Sequence, residues 1–284
     1  MNPTLTVLYS ELVLSLYPIL VKTVNTNIFT QILARFIAFP LLALIFGSTY
    51  DFSSIWGNPY EAFLGVLYNI LNLGHIYASY ESFKSIPVGT AISLFYLYPI
   101  FNIIAGAILF NEPITFISLF LIITSFIGTY LIAISHKTEI SENKHIYGVI
   151  MGIFAAITET IIFIFVRSST NAQASPYYTV NHLYPAGLVA LLIYAIFNKN
   201  IVDTNSVNWA KLLGFNAIFG FTGYIARFYS IPKVPTIIFS LLSFFGVAFG
   251  YLWGILLTGD TPAIKAIIGG VLIASSTAVL RYIA

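Results

Sequence analysis

Two acidic residues, Glu11 and Glu159, sit inside otherwise apolar stretches of this 284-residue chain. A carboxylate at the depth of a hydrocarbon layer costs about 2.5–3.5 kcal/mol on insertion scales, so it faces a bundle interior or a water-filled path. Such groups exchange a proton for a cationic ligand, which makes Glu11 and Glu159 candidates for both substrate binding and proton coupling. Their alternative role is to hold a bundle together by pairing with Arg35, itself well inside an apolar stretch. Arg35 and His182 offer basic groups that either balance the two acids or bind a substrate carboxylate or phosphate. Tyr96 and Tyr98, beside Pro99, present ring faces able to hold an ammonium group. Ser15 shares a helical face with Glu11, as do Thr4, Pro18 and Lys22, and Pro18 is placed to kink the helix and free carbonyls. Asn72, His75 and Asn216 are polar interior positions whose simplest use is a bond between helices, with Asn72 also a substrate contact.

These residues need elements that cross a membrane. The composition is 58% hydrophobic and 8% charged, with a mean hydropathy of +0.91, more than a solvated surface allows. Apolar stretches bounded by Pro, Gly, Asn and charges predict helices near 3–21, 28–47, 60–79, 88–109, 113–134, 147–166, 176–197, 209–229, 235–257 and 262–283. The start of the chain has no basic run or small-residue cleavage site, so the first stretch is expected to remain as helix 1. Net charge is +2 with scattered basic residues, which gives no nucleic-acid patch. Cysteine is absent and the four histidines lack ligand spacing, so no metal and no cofactor is expected. No phosphate-binding Gly-x-x-x-x-Gly-Lys sequence points to ATP as the energy source, and no nucleophile constellation points to an enzyme.

Shifting the sequence by 148 residues places Glu11 on Glu159, Pro87 on Pro235 and Glu112 on Asp260. One ungapped offset over both halves is the mark of an internal repeat. The organisation is then a first repeat at 1–135, a polar linker at 136–146 and a second repeat at 147–284, forming one integral bundle. Five helices per repeat is an odd number, so the second repeat enters from the opposite side and the two are inverted, an arrangement used for alternating access. The fold class is thus an all-α membrane protein of ten transmembrane helices in two inverted five-helix repeats.

The segments Tyr77–Ala91, Leu94–Pro99 and Phe110–Thr115, repeated more loosely at Ile225–Pro235 and Gly254–Pro262, resemble the EamA-type branch of the drug/metabolite transporter superfamily. The first half, with its helix-1 acid and Ile86-Pro87-Val88-Gly89-Thr90-Ala91, also resembles a subunit of the small multidrug resistance transporters. The resemblance implies a transporter of the cell inner or plasma membrane. It also implies that Glu11 serves protons and organic cations, that Glu159 does so through the repeat, and that the helix carrying Tyr96 and Tyr98 lines the pathway.

The expected function is secondary active transport of a small polar metabolite, amine-containing or cationic, by alternating access with proton coupling. The alternative is an anionic or zwitterionic cargo, such as an amino acid, nucleotide-sugar or phosphorylated compound, held by Arg35 and Lys233. A passive channel is the rival outside that class. Partners are a small-molecule substrate and the lipid bilayer, with the chain a monomer or homodimer. Arg227 and Lys233 are expected to snorkel to the interface, and Gly246, Gly250 and Gly254 to form a packing face. Loop lysines outnumber basic residues on the terminal side, which by the positive-inside rule places both termini outside, whereas the resemblance implies cytoplasmic termini.

Overall fold

The computed structural model describes residues 2–47, 53–86, 88–134, 142–198, 200–259 and 263–279. Pro87, Asp260, Pro262 and most of the polar linker, including His136 and Lys137, lie outside the described residues, as do Lys199 and Arg281.

Local chemistry sets the helix starts. Asn2, Asn27, Asn58 and Asn205 each accept a backbone N–H of the following turn, and Thr115 does the same for helix 5. Helices 2, 3 and 5 are continuous, at Ile28–Phe46, Pro59–Ser85 and Phe116–Ala133. Helix 6 runs over Glu142–Ser168 and helix 10 over Ile264–Ala278. Helix 6 therefore begins before the expected 147, because the polar residues 143–145 form an exposed helical turn beyond the apolar span.

The remaining helices are interrupted. Helix 1 comprises Pro3–Leu14 and Tyr17–Thr23, helix 4 Val88–Phe95 and Tyr98–Leu109, and helix 7 Pro176–Leu183 and Pro185–Phe197. Pro18, Pro99 and Pro185 open the second segment in each case, since proline lacks the N–H that would continue the ladder. Helix 8 passes from Ser206–Phe215 through a π turn at Asn216–Gly220 to Phe221–Ser230. Helix 9 is Thr236–Ser243 and Phe245–Trp253, followed by a π turn at Gly254–Thr258.

Helix 3 packs on helix 6, helix 8 on helix 1, helix 4 on helix 9, helix 5 on helix 10 and helix 2 on helix 7. Each of these pairs joins one repeat to the other. The order of contacts shows that helices 5 and 10 run antiparallel: Ser125 meets Ser276, while Gly128 lies against Gly269. Glycine is required there, because a Cβ on either residue would strike the other's carbonyl oxygen. Large apolar side chains such as Phe116, Phe197 and Ile108 face outwards while Glu11, Arg35, Glu159 and Arg227 are buried, the distribution expected when lipid is the solvent.

Among the described residues, seven helices are long and apolar enough to cross a membrane, and helix 10 contains a shorter apolar stretch, Ile264–Ser276. Helices 3 and 8 are missing from that set. They are equivalent under the repeat, and both carry polar residues on a buried face: Asn69, Asn72, His75 and Ser79 in one, Asn216, Arg227 and Ser230 in the other. Such polar residues inside a bundle are where function concentrates.

Candidate functional site

Arg227 is the centre of the buried charge. Its Nη1 lies 2.6 Å from Glu11 Oε1 and its Nη2 2.8 Å from Glu159 Oε1, so one guanidinium bridges the paired acids of both repeats. Arg227 is only 3% exposed, which corrects the expectation that it snorkels to the interface. Helix 8 ends beside the start of helix 1, where Ser230 donates to the Pro3 carbonyl. Helical side chains lean towards the N-terminus of their helix, and for helix 8 that direction is inward. The π turn also rotates the following residues by about 100° relative to an uninterrupted helix.

The two glutamates differ in their other partners. Both oxygens of Glu11 are partnered: Tyr96 donates to Oε2 at 2.7 Å and Tyr98 to Oε1 at 3.2 Å. The proline-induced break at Tyr96–Leu97 lies between these two tyrosines, and the carbonyl of Tyr98 accepts from Thr160. Gly246 clears the space, since a Cβ there would collide with the Tyr96 hydroxyl and reach 2.7 Å from Glu11 Oε2. The expected packing face of helix 9 thus serves the charge cluster at this position. Glu159 keeps an oxygen, Oε2, with no hydrogen bond of good geometry, and its neighbour is His75 Nε2 at 3.2 Å.

Arg35 does not pair with the glutamates, which was one of the two roles expected for it. Its Nε and Nη2 donate to the Tyr184 hydroxyl at 3.2 and 2.9 Å. The guanidinium sits 4.4 Å from the Tyr224 ring centroid and 4.8 Å from that of Tyr17. Among the described residues, no carboxylate lies within ion-pair distance of it. The Tyr17 hydroxyl in turn donates to Asn216, which ties helix 1 to the π turn of helix 8.

Arg35, Arg227, Glu159, His75, Tyr96 and Ser15 line a common cavity of about 40 Å³, room for one to three waters. Ser15 sits at the break in helix 1, where its hydroxyl and the Trp253 indole both donate to the Leu12 carbonyl. That carbonyl is released because the Leu16 N–H turns to Val13, whereas the missing N–H of Pro18 bears on the Leu14 carbonyl. Four predicted site residues do not line this cavity: Glu11 and Tyr98, which reach it through Arg227, and Asn72 and His182, which stand apart. Asn72 donates to the Leu183 carbonyl and ties helix 3 to the broken helix 7. His182 is enclosed by Tyr68, Phe165 and Tyr178.

Arg227 was expected at the interface, and His75 as a polar interior position whose simplest use is a bond between helices. The offset of 148 holds the clue to both: it equates His75 with Gly223 and Arg227 with Ser79. Each helix therefore places one basic residue on the same face, four positions apart in register, and the repeat is asymmetric where the charges meet.

On the terminal side of this cluster, Glu112 pairs with Arg167 and accepts from the Thr236 N–H at the start of helix 9. Arg167 also donates to the carbonyls of Ile231 and Val234 at 2.7 and 2.9 Å. Lys233 lies nearby, stacked 3.8 Å over the Tyr229 ring and outside the central cavity. Burial lowers its tendency to hold a proton.

The fold is shared with a solved crystal structure of a protein of unstated function, at a TM-score of 0.81 over 100% of this chain and 99% of that one, with 13% identity. The chain is also similar to the uncharacterized transporter YxxF of Bacillus subtilis (strain 168), with 26% identity over 195 residues. That match covers 68% of this chain and 61% of the relative's length. The EamA-like transporter model matches twice, over residues 2–134 and 146–282, leaving only the linker region and the chain ends unmatched. The protein is a multi-pass integral membrane protein, and the chain belongs to the EamA-like transporter family.

Proposed function

We propose that the protein is a secondary active transporter that moves a small polar metabolite by alternating access, and that the metabolite bears an anionic group received at Arg35. The observation that carries this reading is the mismatch of partners around the cavity. Arg227 takes both glutamates, while Arg35 is buried with only tyrosine hydroxyl and ring faces to offset its charge. A buried cation lacking a countercharge is costly unless a ligand supplies one. A carboxylate or phosphate fits a guanidinium through paired hydrogen bonds. The amine-bearing cargo expected from the two acids becomes less favoured, because three of their four oxygens are occupied by Arg227, Tyr96 and Tyr98. A zwitterion satisfies Arg35 with its anionic end and belongs to the proposed class.

The cavity as it stands is far below the roughly 300–1,000 Å³ of a small-molecule site. Substrate entry therefore requires the helices around it to part. The largest helix contacts join the two repeats, so the parting that opens the cavity is a rocking of one repeat against the other that rearranges those contacts.

The test is a thermal-shift and binding screen on purified protein with L-glutamate, L-alanine, glucose 6-phosphate, uridine diphosphate glucose and tetraphenylphosphonium. Anion-bearing probes are expected to bind wild type and to lose on the order of tenfold or more in affinity in Arg35→Gln. Binding of tetraphenylphosphonium alone, lost in Glu159→Gln and kept in Arg35→Gln, would overturn the assignment in favour of a cationic cargo.

A further inference from the structure

We propose that His75 and Glu159 together form a proton-binding site that links the two repeats, and that Glu11 is a fixed counterion and does not take part. The tautomer of His75 is set by its surroundings. Nδ1 lies 3.1 Å from the Ala155 carbonyl oxygen, which can only accept, so Nδ1 carries a hydrogen. The Thr158 hydroxyl, also 3.1 Å from Nδ1, donates to the carbonyls of Phe154 and Ala155 and leaves a lone pair towards the ring. With Nδ1–H fixed, Nε2 of a neutral ring presents a lone pair to Glu159 Oε2 at 3.2 Å. An ionised carboxylate there would set two bare lone pairs against each other in a buried place. A proton on Nε2 removes the conflict and sets an imidazolium beside the carboxylate oxygen Oε2.

That oxygen is also an orphan on a side chain only 3% exposed. His75 and Glu159 both line the water-sized cavity, which gives the proton a route to water. Other charged or titratable groups around the pair are Arg227 on Glu159 Oε1, Glu11 beyond it, Arg35 across the cavity, and Tyr96, Tyr98 and Tyr224 from helices 4 and 8. None of them occupies the gap between Nε2 and Oε2.

The repeat makes the site single. His75 has Gly223 as its counterpart, so Glu11 faces no imidazole and is satisfied by Arg227 and two tyrosines. Helix 3 belongs to the first repeat and helix 6 to the second. Loss of the proton sets like lone pairs across that contact and favours parting of the two helices, and binding of the proton draws them together. The consequence for coupling rests on the transport reading; occupancy by the proton does not.

The experiment is a nuclear magnetic resonance titration of ligand-free protein in lipid nanodiscs, labelled with ¹⁵N on its four histidines, with His75→Gln assigning the signal. Across the titration, wild-type His75 is expected to report Nδ1–H throughout and a single proton gained or lost at Nε2. Glu159→Gln should move that midpoint by at least about one pH unit, and Glu11→Gln by no more than a few tenths. A His75 signal that is unchanged in Glu159→Gln overturns the proposal. Should Glu159→Gln not fold, the wild-type Glu159 carboxyl ¹³C signal must share the His75 midpoint, and separate midpoints overturn it equally. A protein that transports nothing yet titrates in this way loses the transport reading alone; a transporter whose His75 is silent loses the proton site alone.

Discussion

A single guanidinium holding two carboxylates from opposite repeats makes Arg227 the residue with the largest expected effect on stability. Arg227→Gln leaves Glu11 and Glu159 buried without their cation, which costs about 3–5 kcal/mol. Thermal unfolding followed by size-exclusion chromatography should show loss of the monodisperse species. The double variant Glu11→Gln/Arg227→Gln should recover part of that loss, because His75 remains beside Glu159 to share a proton. Glu11 and Glu159 were legible in the sequence because acids are rare and costly at membrane depth. Arg227 was not, because closeness to a helix end in sequence does not say whether the side chain leans towards water or into the bundle. Lys233, six residues on, does lie near the surface over Tyr229.

Helices 3 and 8 show how elements trade apolarity for a site. Their polar faces leave them outside the set of apolar spans, yet they bring His75 and Arg227 to Glu159 from two sides. Helix 4 was read as unbroken across Pro99, whereas the helix order and the break at Pro18 were readable from proline and asparagine punctuation. The interruption of helix 9 at Phe244 was not, as no proline follows it. Close approach of helix 9 to helix 4 depends on Gly246. Gly246→Ala should destabilise the protein by about 1–3 kcal/mol through the clash with the Tyr96 hydroxyl. Adding Tyr96→Phe should return part of that in a thermal-unfolding assay, and failure of the second change to help would place the strain elsewhere.

At the scale of the molecule, the ten helices interleave so that the largest contacts lie where the repeats meet, and under the proposed mechanism access on each side is controlled there. The Glu112–Arg167 pair, with its bonds to the helix 8–9 turn, ties parts of both repeats together on the terminal side. The native chain has no cysteine, so Ser15→Cys provides a clean reporter in the cavity. Glu112→Gln should speed maleimide labelling of that cysteine from the terminal side several-fold; an unchanged rate would deny the pair a gating role. With Arg227 buried, basic residues on the terminal side become fewer still, which strengthens the charge argument for external termini. A membrane-impermeant label on His145→Cys, at the exposed start of helix 6, should then react from the cytoplasmic face. The central claim, that the cavity between the repeats receives an anionic group at Arg35 and carries it across, is met most directly by counterflow. Proteoliposomes loaded with the tightest anion-bearing probe of the screen should accumulate its radiolabelled form, and Arg35→Gln should reduce that exchange by on the order of tenfold or more. Exchange in Arg35→Gln equal to that of wild type, or a leak without counterflow, would contradict it.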